Sequence, residues 1–385
     1  MARLRVLYVV DGFGLGGTRT VLLAQVARLP PESVEVAILT LSDDARVGVG
    51  LVPPHVQVIS APFRGDRGYT VRDYLADSWL LLSARKWGGE ALRAIERFKP
   101  DVLHFHTNPR ELALGVLARR ASPVALVFTD HLVRVAETDY TPQIRFLLRV
   151  AYRRLYRQYN LISVGQSVAE SNRAAGFVGA GRRHVVMRNQ VDIERFRPPE
   201  DGRRADPLEI IYVGRIHPIK RVDTVVRAFG QAHAASPVRL LIVGPDEMGG
   251  EIQRLAAECV EPPKSVLFLG ERTDVPELLR QASISLLMSE REGQPLALLE
   301  QMASGLAVVA SNIPESAELI SDGVSGRLVA VDDVAGCAAV LGELILDGEL
   351  RARIGRAARQ AVEERGSMDD SGVLMELYTE VTRRR

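Results

Sequence analysis

Glu292 and Glu300 stand in the stretch SEREGQPLALLEQMASG, between two apolar runs and with glycines nearby. An ionised carboxylate accepts hydrogen bonds at both oxygens, so such a pair suits general acid–base work or the clamping of hydroxyls. A second cluster, GRIHPIK, delivers Gly214, Arg215 and Lys220 just after an apolar run. Two cations beside a glycine and a helix start suit a diphosphate, through charge-assisted bonds and backbone donors. Cations for a diphosphate together with carboxylates for hydroxyls are what a nucleotide-sugar needs. For GRIHPIK taken alone, surface cations near a loop are the plainer alternative.

The first third of the chain carries a different set. Gly12, Gly14, Gly16 and Gly17 follow the apolar run Arg5 to Val10 and precede a helical pattern from Thr20 to Leu29. Strand, glycine loop and helix can present backbone N–H groups to an anion, or simply form a turn that needs positive φ. The loop lacks the Lys-Ser/Thr ending of a P-loop and the spacing of a dinucleotide fingerprint. His104 and His106 end the strand DVLHFH (Asp101 to His106), where they form a metal pair or a polar strand end. His131 follows the strand Val124 to Phe128 and the residues Thr129 and Asp130, a place for a site residue or a hydrogen-bonding scaffold.

Short apolar runs alternating with helical patterns position these groups. Strands are expected at Arg5 to Val10, Val34 to Leu41, Val56 to Ser60, Asp101 to His106, Val124 to Phe128, Leu161 to Val164 and Val185 to Arg188. Helices are expected at Leu75 to Phe98 and Arg145 to Tyr159. A polar, proline-bearing segment without periodicity follows, NQVDIERFRPPEDGRRADP. The pattern then restarts, with strands at Ile210 to Val213, Leu240 to Val243, Val266 to Leu269, Ile284 to Met288 and Val308 to Ala310. Helices lie between them at Val222 to Ala235, Glu251 to Val260, Val275 to Gln281 and Leu296 to Ala303. Two such arrays imply an α/β protein of two doubly wound, Rossmann-like domains facing across a cleft, with ligands at strand carboxyl ends. The expected division is a first Rossmann-like domain over 1–195, a linker over 196–207, a second Rossmann-like domain over 208–366 and a closing helix over 367–385. That helix carries Val373, Leu374, Leu377, Tyr378 and Val381 at a spacing fit for packing back on the N-terminal domain.

With 385 residues, 46% hydrophobic and 25% charged, the composition is that of a globular protein with sizeable cores. A net charge of +1 provides no global field for nucleic acid. Cys259 and Cys337 are too few for a disulfide framework or zinc cluster, and free thiols in a reducing compartment follow. The start, MARLRVLYVVDGFG, has too short an apolar run for a signal peptide, and no run approaches a membrane span. A cytoplasmic protein is expected. The basic, aromatic helix at 145–159 offers either a solvated face or weak peripheral contact with anionic membrane.

GRIHPIK resembles the phosphate segment of glycosyltransferase family 4, retaining enzymes of the GT-B fold, and EGQPLALLE is similar to their E-x7-E signature. Gly305, the Pro-Glu turn, DGVSG, the segment Asn189, Val191, Asp192, Phe196 and the closing helix extend the resemblance over nearly the whole chain. The resemblance implies that Arg215 and Lys220 hold the donor diphosphate as a leaving group, beside Gly214. It implies that Glu300 binds the ribose hydroxyls and Glu292 the donor sugar. Backbone N–H groups at Gly293, Gln294 and Leu296, around Pro295, would face the sugar hydroxyls or phosphate. Gly16 and Gly17 would let the backbone approach the diphosphate, and His131 would line the sugar–acceptor junction as a catalytic residue. No cofactor or metal is implied, because the cations replace it.

The chain departs from the family at Gln294, commonly an aromatic, and at Gly16 to Thr20, which read Gly-Gly-Thr-Arg-Thr in place of Gly-Gly-x-Glu-Arg. Expected, then, is retaining transfer of a hexosyl unit (glucosyl, N-acetylglucosaminyl or mannosyl) from a UDP- or GDP-linked donor to an acceptor hydroxyl. The acceptor is a small natural product such as an aminocyclitol, or a lipid-linked or cell-envelope glycan. A nucleotide-sugar 2-epimerase of the same fold and a non-catalytic sugar-nucleotide-binding subunit are the alternatives.

Overall fold

The computed structural model describes residues 3–12, 17–42, 52–62, 88–106, 112–132, 142–202, 205–232, 237–262, 264–366 and 371–384. The chain divides into two compact units, Met1–Arg188 with Asp369–Arg385, and Asn189–Met368.

The first unit is built on β1 (Leu4–Val10), β2 (Val34–Thr40), β3 (Gln57–Ser60), β4 (Val102–His106), β5 (Ala125–Asp130), β6 (Asn160–Ser163) and β7 (His184–Val186). They form one parallel sheet in the order β3-β2-β1-β4-β5-β6-β7. The order reverses between β1 and β4, which is where doubly wound sheets leave room for ligands. Its helices are α1 (Gly17–Ala27), α2 (Gly89–Phe98), α3 (Leu112–Ala121), α4 (Pro142–Tyr156), α5 (Gln166–Ala174) and the closing α13 (Ser371–Arg383). Apolar residues occupy both sides of each inner strand, as parallel sheets require. Leu7, Val9, Leu103, Phe105, Leu126 and Phe128 bury one face, and Tyr8, Val10, Val127 and Ile162 bury the other. Leu374, Leu377, Tyr378 and Val381 of α13 join that second face, so the closing helix packs on the N-terminal unit as its spacing implies.

The second unit is built on β8 (Leu208–Val213), β9 (Val238–Val243), β10 (Lys264–Gly270), β11 (Ile284–Leu287), β12 (Ala307–Ser311) and β13 (Arg327–Val329). Its parallel order, β10-β9-β8-β11-β12-β13, reverses between β8 and β11. Helices α6 (Val222–Gln231), α7 (Glu251–Cys259), α8 (Val275–Gln281), α9 (Leu296–Ala303), α10 (Pro314–Ala317), α11 (Val334–Leu346) and α12 (Gly348–Gly366) complete it around one core.

The division at Arg188 and Asn189 lies upstream of the expected boundary at 195, and 189–202 travel with the second unit. The cause is local packing. Phe196 is buried in the second core, and Arg359 Nη1 donates to the carbonyls of Ile193, Phe196 and Ala303 at 3.0, 2.8 and 2.8 Å. The expected helix at 75–98 is described only over Gly89–Phe98, its first part lying outside the described residues. β5 runs on through Thr129 and Asp130, so His131 is the first residue beyond the strand. On α4 and just after it, Tyr156 and Tyr159 are buried against Phe177, Phe128 and Phe105. These aromatics therefore serve the core and not an outer surface.

Candidate functional site

The reversal between β8 and β11 gathers the groups that sequence reasoning singled out. β8 runs out through Gly214, whose N–H donates to Val243 O at 2.9 Å. Gly244, at the end of β9, has φ +140, and a Cβ there would stand 2.0 Å from the Gly214 carbonyl oxygen. Only glycine lets the two strand ends run this close. Tyr212 Oη donates to Arg215 O at 2.8 Å and so holds the turn. A short 3-10 turn, Pro218–Lys220, follows, capped by His217 Nδ1 accepting from Ile219 N at 3.2 Å. Arg221 then adopts φ +47, a left-handed conformation that ends this turn and starts α6.

β11 delivers Met288, Ser289 and Glu292 to the same end of the sheet. Lys220 Nζ donates to Glu292 Oε1 at 2.6 Å, and Ser289 Oγ donates to the same oxygen at 2.6 Å. Ser311, closing β12, donates to Ser289 O at 2.5 Å and fixes the serine in turn. The Glu292 carboxylate is largely buried, at 10% side-chain exposure, so the ion pair is shielded from water. Glu290 N donates to Ile219 O at 2.9 Å, linking the two loops through backbone. Arg221 adds a clasp, reaching Glu290 at 2.9 Å, Asp332 at 2.8 Å and Asp223 at 3.3 Å. α9 begins right after Pro295, and its first N–H groups have no intrahelical acceptor. They point a partial positive charge toward the turn that holds Glu292.

The other expected residues sit less directly together. Arg215 is half exposed and its guanidinium is bound to both oxygens of Glu247, at 2.8 and 3.1 Å. Glu300 lies on α9, where burial pushes its carboxyl up to about 7, with Arg195 pulling the other way. The Gln294 side chain accepts from Asn189 N, and its carbonyl accepts from Asn189 Nδ2 at 3.1 Å. In place of an aromatic, this position carries a tie to the first residue of the second unit. Gly293 and Pro295 are buried beside it. Glu315, on α10 just past β12, is 3% exposed, and its carboxyl is raised by burial first and then by Glu292 and Glu318.

In the first unit, Gly17 opens α1, and Gly16 lies outside the described residues. His131 Nε2 is 3.0 Å from His106 Nδ1, and His106 Nε2 is 3.0 Å from Gln25 Oε1. His104 Nε2 meets Thr129 Oγ1 at 2.7 Å, and its Nδ1 meets Tyr378 Oη at 2.6 Å. Tyr378 Oη is also 2.8 Å from Tyr8 Oη. Burial drives His104 and His106 well below the ordinary histidine value and lowers His131 to about 4. The histidines of β4 are thus spent in hydrogen bonds, and among the described residues no three His, Cys, Asp or Glu gather as a metal set.

Sequence reasoning missed Ser289, Ser311, Arg221, Glu315 and Gln25. For most of them a signal was present: Ser289, Ser311 and Glu315 end or directly follow strands on one side of the reversal. Gln25, inside an otherwise apolar helix face, was the only polar residue among those that α1 buries.

Residues 207–347 match the family of Glycosyl transferases group 1, and residues 16–190 match the Glycosyl transferase 4-like domain. N-acetyl-alpha-D-glucosaminyl L-malate synthase of Bacillus anthracis is 34% identical over 277 residues, covering 70% of this chain and 71% of that protein. D-inositol 3-phosphate glycosyltransferase of Xylanimonas cellulosilytica is 27% identical, covering 97% of this chain and 94% of that one. In fold, the chain is similar to Anabaena HepE, solved in complex with UDP-glucose, with a TM-score of 0.71, 17% identity and 99% of both chains covered. Two parallel Rossmann-like sheets, these family matches and these likenesses agree: the chain is a glycosyltransferase of the group 1 family, with the two-domain GT-B fold.

Proposed function

We propose that the chain moves a hexosyl unit from a nucleotide-diphosphate sugar to an acceptor hydroxyl with retention of anomeric configuration. The second unit takes the donor and the first unit the acceptor. The observation that carries this reading is Glu292 at the β8–β11 reversal, with Oε1 held by Lys220 and Ser289. Glu292 accepts from sugar hydroxyls, and Glu300 accepts from the ribose. Lys220 and Arg215, beside Gly214, take the charge of the departing diphosphate, so no divalent metal or other cofactor is required. Backbone N–H groups at Gly293, Gln294 and Leu296, around Pro295, meet the sugar or phosphate, and Gly16 and Gly17 admit the N-terminal backbone to it.

In the transfer step the acceptor oxygen bonds to the anomeric carbon on the face the diphosphate leaves. The bond from that carbon to the phosphate oxygen breaks, and this oxygen receives the acceptor proton. Glu292 is committed to Lys220, which leaves it a hydroxyl clamp and not a covalent nucleophile. The relatives named for L-malate and for inositol 3-phosphate support a small hydroxylated acceptor, used in the reducing cytoplasm where Cys259 and Cys337 stay free. A donor screen read by mass spectrometry, with small hydroxy acids and polyols as acceptors, tests this. Glycosylated product requiring acceptor supports it, and a new sugar nucleotide formed from donor alone would make the chain an epimerase.

One observation favours a lipid-linked acceptor instead. Arg149, Arg153, Arg154 and Arg157 are all exposed along and just after α4, a basic face able to rest on anionic headgroups. Among the described residues no helix is long and apolar enough to cross a membrane, so such contact would be peripheral. Co-sedimentation with anionic vesicles at low salt decides it, and absence of binding removes this variant.

A further inference from the structure

His131 does not stand alone at the end of β5. Its Nε2 meets His106 Nδ1, His106 Nε2 meets Gln25 Oε1, and Gln25 is 3% exposed on α1. The direction of this chain of bonds is set at its buried end. Gln25 Nε2 points at Met187 Sδ, 4.0 Å away. A thioether accepts weakly and donates nothing, so the amide nitrogen belongs on that side and the amide oxygen faces His106. An amide oxygen only accepts. His106 must therefore carry its hydrogen on Nε2, which leaves Nδ1 as a lone pair. That lone pair must receive a hydrogen from His131 Nε2. His131 is thereby left with an unprotonated Nδ1, which no described residue engages.

We propose that Gln25 and His106 are positioning residues that fix His131 as the Nε2–H tautomer, so that its Nδ1 accepts a hydrogen bond from a second, non-reacting hydroxyl of an acceptor bound by the first unit. This rests on the transfer reading given above. Desolvation keeps all three imidazoles neutral over the working range. His131 is too weak a base to remove the reacting proton; it holds the acceptor through this second hydroxyl, while the attacking hydroxyl gives its own hydrogen to the leaving phosphate. The two rings lie with centroids 5.1 Å apart and 46° between their planes, so the imidazole plane is fixed along with the tautomer. Gln25, on α1, thus influences a side chain beyond β5 without itself touching substrate. Loss of the relay lets His131 turn an N–H toward a group that is itself a donor.

Nitrogen NMR of histidine-labelled protein separates protonated from bare imidazole nitrogens without any substrate. The expected wild-type spectrum has His131 protonated at Nε2 and bare at Nδ1. Gln25→Met removes the amide oxygen, and averaging of the two His131 tautomers is expected. On the order of a tenfold rise in acceptor KM should follow, with donor KM unchanged. Gln25→Glu keeps an obligate acceptor at the same place and should retain both the tautomer and the KM. A wild-type His131 protonated at Nδ1 overturns the proposal, whether or not any variant folds. So does Gln25→Met with an unchanged acceptor KM, or with donor and acceptor KM rising together. Should the wild type transfer from no nucleotide-sugar, the transfer reading falls, and the spectrum alone still decides the relay.

Discussion

Lys220 Nζ and Glu292 Oε1 meet at 2.6 Å across seventy-two positions of sequence. The same oxygen takes the Ser289 hydroxyl, and no described residue donates to Oε2. Glu292 is therefore half committed and half open, oriented by protein on one oxygen and offered to hydroxyls on the other. Lys220 is in turn held within reach of anything that Glu292 binds.

This pairing sets the first prediction. Lys220→Ala and Glu292→Ala should each lower kcat/KM on the order of a hundredfold or more, the cost of losing a preorganised transition-state contact. Because the residues touch, the double variant should lose much less than the product of the two losses. Steady-state kinetics on all three variants checks it. Near-wild-type transfer by either single variant would falsify the site.

Arg215 is a cation already occupied. Glu247 holds its guanidinium through two bonds on a largely exposed surface. A diphosphate must compete with that carboxylate, and exposed ion pairs are worth about 0–1 kcal/mol. Glu247→Gln should therefore lower donor KM by roughly two- to fivefold, with kcat little changed. Donor titration at fixed ionic strength measures it, and weaker donor binding in this variant would show that Glu247 helps the donor instead of competing.

Glu300 gives the chain a pH dependence with a definite sign. Its folded value, about 7, lies above the unfolded 4.5, so between these limits the folded state holds a proton that the unfolded state has released. Stability from this group is thus present below about 4.5 and is lost as pH rises through about 7. Chemical denaturation from pH 4.5 to 7.5 should show that decline in wild type and a flatter profile in Glu300→Gln. Donor KM should improve over the same rise, because the ionised carboxylate accepts two ribose hydroxyls and the protonated one accepts less well.

Tyr378 anchors the closing helix by chemistry as well as by area. Tyr378→Phe would leave His104 Nδ1 and the Tyr8 hydroxyl buried without their partner, at a cost of about 1–3 kcal/mol. Donor binding should be unaffected, since the donor groups belong to the other unit. Equilibrium denaturation paired with a donor titration separates the two effects, and an unchanged unfolding midpoint would show that the hydroxyl contributes nothing.

Strands were easy to read because parallel, doubly covered strands are unbroken apolar runs. Ile284–Leu287 and Ala307–Ser311 differ from expectation by no more than a residue at either end. β13 escaped notice because three residues, Arg327–Val329, leave no pattern to read. α9 matched at both ends, with Pro295 before it and Gly305 after it as punctuation. The linker misled because charge and proline outnumber the few apolar side chains, Val191, Ile193 and above all the buried Phe196, that anchor it on the second core. At the site, residue types announced the cations and carboxylates, but pairing needs the strand order. That Lys220 meets Glu292 follows from β8 lying beside β11, which no spacing within GRIHPIK or EGQPLALLE encodes. Gln25 stood out as a polar residue on an apolar helix face, but its pairing could not be read for the same reason, its partner His106 being 81 positions away on β4.

The contact between Tyr8 and Tyr378 joins positions 370 residues apart, and it orders events in time. A chain made from its N-terminus has the first sheet's strands in hand early, yet the helix that covers one face is made only after the whole second unit. The second unit, continuous from Asn189 to Met368, can complete itself in between. Until α13 arrives, Leu22, Val26, Tyr8 and their neighbours lack part of their cover, an exposed apolar surface on a nascent protein. Synthesis of residues 371–383 is thus a folding step for the first sheet, and a message truncated before residue 371 should yield a product that chaperones and proteases treat as unfinished.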